Sequence, residues 1–186
     1  HAKNELSNYP IANCSKVRQV FVDSNQNMWV ATTEGFVTFD TKFNKPAEIK
    51  FNYFQKKVKQ NSSLGANDVH CIYEDTEGEI WFGTFGGGLN KLIQKKNTNK
   101  MFGFEVYDRI KGMPNNIIYA ILDDKQGNLW LTTENSIVRM NKKTHKIDVF
   151  GKGNELENVE FSEASACLLQ SGEICVGAKS GFYYFR

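Results

Sequence analysis

Apolar residues in this chain fall in short β-branched and aromatic runs divided by polar turns, with no sustained helical spacing. Val17–Val22 (VRQVFV), Met28–Thr32, Phe36–Asp40 and Ile49–Phe54 (IKFNYF) predict four strands, separated by turns at Asp23–Asn27 and Thr33–Gly35 and by a polar loop. A long charged connection, Gln55–Asp68, follows, and then the order repeats. Val69–Glu74, Ile80–Thr84, Leu89–Ile93 and Phe102–Tyr107 form a second set of four, and Asp108–Asn116 links it to a third. That third set is Ile117–Leu122, Leu129–Thr133, Ile137–Met140 and Ile147–Phe150. A fourth set, Ala164–Leu169, Ile174–Gly177 and Phe182–Phe185, has no outer strand of its own. The segment His1–Lys16 is polar and interrupted by Pro10, so it reads as a lead-in without a regular element.

The four sets share one frame, clearest in Asp75–Leu92 (DTEGEIWFGTFGGGLNKL). Trp81 is its anchor, with Asp75 and Gly78 before it, Gly83 and Thr84 after it, and a turn at Phe85–Gly88. Trp29 and Trp130 hold the same position, with Asp23 and Asp124 ahead of them and Gln26 and Gly127 at the glycine place. In Leu169–Arg186 the glycine survives as Gly172, while Cys175 replaces the tryptophan and Leu169 the aspartate. The anchors recur at intervals of about 45 to 52 residues, a blade-sized period. The fold class is therefore all-β: a β-propeller of about four four-stranded antiparallel blades, expected to be part of a larger propeller. The divisions are lead-in 1–16, blade one 17–54, blade two 69–107, blade three 117–150 and an incomplete blade four 161–186.

Each recurring residue has a structural reason. The tryptophan is large enough to bridge adjacent blades, and the small residues after it (Ala31, Gly83, Thr132, Gly177) let sheets approach. The glycine position sits in a tight turn that calls for a positive φ. Asp23, Asp75 and Asp124 open hairpins, where a carboxylate accepts backbone hydrogen bonds, so their ring-like recurrence is structural rather than catalytic.

A net charge of +2 gives no electrostatic case for nucleic acid or an anionic membrane, and no apolar run reaches membrane-spanning length. The four cysteines lack metal-type spacing. Cys71, Cys167 and Cys175 fall within strands and read as buried free thiols. The FGGG run at Phe85–Gly88 leads into a strand and lacks a following Lys-Ser/Thr, which argues against a phosphate loop. No nucleophile–base pair or ligand cluster has workable spacing, so neither catalysis nor a cofactor is expected.

The frame D-x-x-G-x-[ILM]-W with G-[LF] beyond it resembles the repeat of two-component regulator propellers. It appears as DTEGEIWFGT…GGLNKL, DKQGNLWLTT…SIVRM and DSNQNMWVAT…GFVTF, and GMPNN at Gly112–Asn116 resembles that family's link between blades. Ser136-Ile137 and the fourth copy depart from it. The resemblance implies the periplasmic sensor part of a hybrid two-component histidine kinase, responding to oligosaccharides. Further blades, a β-sandwich, a membrane helix and the kinase would lie elsewhere in such a protein. The alternative is a protein–protein interaction propeller with no small ligand.

For a sugar, aromatic faces and paired polar groups matter most. The loops between second and third strands place Thr33, Glu34, Phe85, Glu134, Asn135, Lys179 and Ser180 on one face, and the interblade connections add Asn67, Asp68, Asn115, Asn116 and Glu160. Beside them stand Arg18, His70 and Tyr119, equivalent residues at the start of each inner strand. The candidate ligand-binding set is Arg18, His70, Tyr119, Glu34, Phe85, Glu134, Asn135, Asn115 and Asn116, on loops held by a rigid scaffold. Because the fourth blade lacks an outer strand, an open arc is expected, with apolar end faces at the Val20 position that favour self-association.

Overall fold

The computed structural model describes residues 8–57, 62–94, 101–154, 156 and 158–186. Its strands form four separate antiparallel sheets, each a meander in sequence order. Blade one comprises β1 (Val17–Val22), β2 (Asn27–Thr32), β3 (Gly35–Asp40) and β4 (Asn52–Phe54). Blade two comprises β5 (Val69–Glu74), β6 (Ile80–Thr84), β7 (Leu89–Gln94) and β8 (Met101–Tyr107). Blade three comprises β9 (Ile118–Asp123), β10 (Asn128–Thr133), β11 (Ile137–Asn141) and β12 (Ile147–Phe150). Blade four has three strands, β13 (Phe161–Leu168), β14 (Ile174–Ala178) and β15 (Gly181–Phe185). The fold is an all-β propeller arrangement, and no helix among the described residues is long and apolar enough to cross a membrane.

The repeat frame works as a clasp around the first hairpin of blades one to three. In blade one, Asp23 accepts backbone hydrogen bonds from Asn25 (2.9 Å) and Asn27 (2.8 Å), while its other oxygen accepts the Trp29 indole N–H at 2.9 Å. Asp75 does the same for Glu77, Glu79 and Trp81, and Asp124 for Gln126, Asn128 and Trp130. One carboxylate thus rigidifies the turn and orients the large ring. The turn residue ahead of each anchor has positive φ in all four blades, at Gln26 (67°), Gly78 (76°), Gly127 (95°) and Gly172 (92°). Gln26 therefore adopts a conformation that glycine adopts more easily.

Each anchor faces the next blade. Trp29 packs with Val69, Ile72 and Phe82 of blade two; Trp81 with Ile118, Ile121 and Leu131 of blade three; Trp130 with Phe161, Ile174 and Val176 of blade four. Small residues make the approach possible: a Cβ on Gly83 would stand 2.5 Å from Cys71 Sγ and 2.9 Å from an Ile118 methyl. Carboxylates on the neighbouring blade add a second link. Glu74 accepts from Ser24 N and Oγ at 2.7 and 2.6 Å, and Asp123 accepts from Thr76 N and Oγ1 at 3.0 and 2.7 Å. Lys142, buried beside them, reaches Asp123 at 2.9 Å and Asp75 at 3.4 Å. Burial works against charge on Asp123, but hydrogen bonds from Thr76 and Lys142 outweigh it and hold the carboxyl below the usual range. The corresponding residue of blade four is Leu168, which can make no such link.

The arc is open. Among the described residues, apolar clusters join blade one to two, two to three, and three to four, while a further cluster lies on blade one's free face. Val20 is 58 % exposed at that end, and Phe182 and Tyr184 are each 69 % exposed at the other.

Three expectations need correction. The lead-in contains one helical turn, α1 (Ile11–Cys14), which places Cys14 against Val30 and Val37 and covers part of blade one's free face. Pro10 precedes the turn instead of preventing it, since proline is compatible with a helix start. The strand expected over Ile49–Phe54 shortens to β4, because Pro46 opens a 3-10 turn at Pro46–Glu48 and Ile49 is buried just beyond it. Of the cysteines, Cys71 is buried as expected and so is Cys14, but Cys167 is exposed and Cys175 only half-buried. Both lie on the free face of blade four, opposite the side that packs on blade three.

The glycine run at Phe85–Gly88 also has a packing explanation. A Cβ on Gly87 would meet the backbone of Gly65 at 2.3 Å, and one on Gly65 would meet Gly87 O at 2.4 Å. The two glycines lock the Gln55–Asp68 connection onto this loop.

Candidate functional site

The inner strands start with an irregularity that the apolar pattern does not reveal. In β1 the pairing with β2 slips between Val17 and Gln19; in β5 it slips between Val69 and Cys71; in β9 it slips between Ile118 and Ala120. The residues at the slips are Arg18, His70 and Tyr119. A bulged residue leaves the ladder and its side chain is re-aimed, so the three expected site residues owe their placement to a repeated β-bulge. In β13 the irregularity is larger, running from Phe161 to Ala166 with Ala164 at φ 50°. The side chain it delivers to the same place is Glu163.

One side chain from each blade therefore meets near the axis, with Asp68 from the connection before blade two. Arg18 donates to both Asp68 oxygens (3.2 and 2.9 Å) and to both Glu163 oxygens (3.0 Å each). These contacts, Asp68 foremost, raise the guanidinium's already high pKa further. The His70 ring stacks on Tyr119 with centroids 5.4 Å apart and planes 8° from parallel, and lies 5.7 Å from Phe85. It is 2 % exposed, and among the described residues neither ring nitrogen has a hydrogen-bond partner. Nε2 faces Asp68 at 3.8 Å and Glu163 at 3.9 Å, close enough for attraction when charged but too far for a hydrogen bond. Burial lowers the imidazole pKa; Glu163 and Asp68 oppose this, Arg18 reinforces it, and the net shift is downward. Burial, then Glu134 and Glu163, raise the Tyr119 phenol.

The loops expected on this face are latched to the connections. Thr33 N donates to Lys16 O, Phe85 N to Asp68 O and Lys179 N to Glu160 O, at 3.1, 2.8 and 2.9 Å. Asn115 donates to Glu134 at 2.7 Å, beside Tyr119. Asn116 is a clip: its carbonyl accepts from Gly86 and Gly88, and its side chain accepts from Arg109 N. Glu34 lies on the rim of blade one, where its carbonyl accepts from Tyr53 and Gln55, and Asn135 is exposed in its loop. The structure thus gathers Arg18, His70, Tyr119 and Phe85, sets Glu134 and Asn115 next to them, and gives Asn116 a scaffolding role. Glu163 went unrecognised because counting back from Cys175 lands on Ala164, and only the enlarged bulge brings Glu163 to the site. Asp68 was visible as a polar connection residue, though its pairing with Arg18 was not.

The arrangement offers a stacked aromatic pair, two carboxylates and two unpaired imidazole nitrogens. Carboxylates outnumber the single guanidinium, so the cluster favours neutral hydroxyl-rich or cationic groups over anions. Among the described residues no group of three or more His, Cys, Asp or Glu side chains is placed to hold a metal ion.

The family model described as two component regulator propeller matches residues 63–86 and 112–135, each span starting in an interblade connection and ending after the second strand. A histidine kinase P4 of Formosa agariphila is 25 % identical over 181 residues, covering 96 % of this chain and 12 % of that protein. The extracellular domain of the putative one component system BT4673 from B. thetaiotaomicron superposes with TM-score 0.67 at 20 % identity, covering 92 % of this chain and 21 % of that one. That of the putative hybrid two component system BT3049 from the same organism gives TM-score 0.52 at 24 % identity, covering 91 % and 27 %. Streptogramin B lyase gives 0.62 at 17 % identity, covering 93 % and 55 %. At these identities the structural likeness is one of fold.

Proposed function

We propose that this chain, which carries two-component regulator propeller repeats, is a ligand-sensing segment of an extracytoplasmic sensor, and that its ligand is an oligosaccharide. The observation that carries the reading is the axial cluster of Arg18, Asp68, His70, Tyr119 and Glu163, to which every blade contributes. A buried imidazole with no partner costs about 1–3 kcal/mol, which a ligand hydroxyl between His70 and the carboxylates would offset. The negative excess at the cluster favours a neutral sugar over an acidic one. The kinase to which such a segment would report, the further blades, the β-sandwich and the periplasmic location remain part of this proposal. They are supported by the regulator repeats and by the fold shared with extracellular sensor domains.

Calorimetry against a panel of neutral and acidic oligosaccharides tests the reading. A neutral member should bind, and Tyr119→Ala and His70→Ala should each weaken it at least tenfold. Affinity unchanged in both variants would move the site elsewhere, and no binding across the panel would remove the sugar.

A second reading, an interaction propeller without a small ligand, draws on Val20, Val22, Phe182 and Tyr184, exposed on the two end faces. Blades of the same ring or a second copy of the chain would cover these faces. Sedimentation at high micromolar concentration distinguishes self-association from a monomer.

A further inference from the structure

Blade four replaces the tryptophan clasp with a pair of thiols. In blades one to three the anchor's partner across the first hairpin is bulky: Phe21 opposite Trp29, Tyr73 opposite Trp81 and Leu122 opposite Trp130. In blade four the equivalent pair is Cys167 opposite Cys175. The aspartate that elsewhere holds turn and indole together is Leu169, so every side-chain element of the clasp is absent at once. Both cysteines lie on the free end face beside Tyr184, Cys167 exposed and Cys175 half-buried.

We infer that Cys167 and Cys175 form a reversible cross-strand disulfide, a covalent clasp at the place where the other blades use Asp and Trp. Leu169 N donates to Glu173 O at 2.8 Å, which sets the register so that Cys167 and Cys175 are a directly opposed, hydrogen-bonded pair. Such pairs have Cα atoms about 5.5 Å apart. A disulfide needs about 4.4–6.8 Å between Cα atoms, so the pair is in range. Opposed Cβ atoms start about 4.5–5.5 Å apart and close toward the disulfide's roughly 3.8 Å as the two thiols, already in hydrogen-bonding contact, join. The other two thiols are unsuited to the reaction. Cys14 is buried in the lead-in turn and Cys71 in blade two, and burial pushes the Cys71 thiol up to about 12.

The oxidant is a disulfide of the glutathione or protein-dithiol class. Cys167, the more exposed, attacks as thiolate, forming a mixed disulfide and releasing one half of the oxidant as thiol. The Cys175 thiolate then attacks the Cys167 sulfur and releases the second half. Two protein thiols become one disulfide, and the oxidant's disulfide becomes two thiols. Burial and the neighbouring Cys167 both raise the Cys175 thiol, consistent with its acting second.

The test is peptide mapping of the purified chain after equilibration with reduced and oxidised glutathione, acid quenching and alkylation. Trypsin leaves both cysteines in the peptide 153–179, which should be lighter by two hydrogen masses than its reduced form. Cleavage at the glutamates should then leave pieces 164–173 and 174–179 joined until reduction, while Cys14 and Cys71 are recovered as thiols. Cys167→Ser should leave Cys175 as a thiol or a glutathione adduct. Recovery of both cysteines as free thiols, as separate glutathione adducts, or in a bond between two copies would overturn the proposal.

Discussion

Blades one to three and blade four share a backbone plan but are held together differently. In the first three, an aspartate joins turn and tryptophan, and the tryptophan fills the seam to the next blade. Carboxylates at Glu74 and Asp123 then tie the first two seams from the other side. In blade four, Leu168, Leu169 and Cys175 stand where those groups would be; Leu168 packs toward blade three, and the face that carries Cys175 meets no neighbour in the described arc. The sheet still forms, because apolar burial against Trp130 and backbone pairing suffice for it. Polar clasps therefore serve the seams between blades, and the blade fold itself rests on the strand pattern.

The largest expected effect is at a seam. Trp81→Ala should lower the unfolding free energy in urea by about 3–5 kcal/mol, the range for emptying a buried aromatic site. Cys175→Ala, measured in reducing buffer, should cost less than about 1 kcal/mol, since most changes at unfilled surface positions are small. Similar costs for the two would mean that blade four is held as the others are.

Next comes the clasp itself. Asp75→Ala removes acceptors for Glu77, Glu79 and the Trp81 indole and leaves the buried Lys142 with one carboxylate fewer. The expected cost is about 2–4 kcal/mol, from unpaired buried donors and a weakened buried ion pair. Leu169→Asp in blade four lacks an indole to hold and should shift stability by no more than about 0.5 kcal/mol. Denaturant midpoints with unchanged slopes measure both.

A pH effect belongs to the axis. The pKa of His70 is lowered in the folded state below its ordinary 6.5. As pH falls below that value the unfolded chain takes up a proton that the folded chain refuses, so stability declines; above it the two states match and this contribution is level. The slope is at most about 1.4 kcal/mol per pH unit for one group. His70→Gln should flatten the profile between the ordinary value and the lowered one, and an identical profile in the variant would remove His70 as its source.

The smallest effect is at Gln26, whose positive φ costs a non-glycine residue about 1 kcal/mol or more. Gln26→Gly should stabilise by roughly 0.5 kcal/mol after glycine's entropic cost, and Gly78→Ala should destabilise by about 1 kcal/mol. Thermal unfolding of the pair gives opposite signs if the turns are equivalent.

Much of this was legible because repetition multiplies weak signals. Three tryptophans with aspartates at one spacing placed most strands to within a residue or two, although β4 and β13 each start three residues from the expected position, and even Gln26 was readable as a turn residue by its position. What stayed hidden depends on register and contact. The indole–aspartate bonds follow from rotamers that composition does not express. The bulges at Arg18, His70 and Tyr119 leave no apolar trace, and the larger one in β13 displaced Glu163 from its counted position. The lead-in turn at Ile11–Cys14 was masked by its polar surroundings, and the exposure of Cys167 and Cys175 depends on which blade face has a neighbour.

The central claim is that side chains from four blades form one ligand site around His70. Nitrogen chemical shifts of the histidine rings, recorded with and without a neutral oligosaccharide that calorimetry shows to bind, test it most directly. The His70 nitrogens should move on binding while those of His145, which contacts Tyr107 on a different part of the surface, stay in place. Saturating ligand that leaves the His70 resonances unmoved would contradict it.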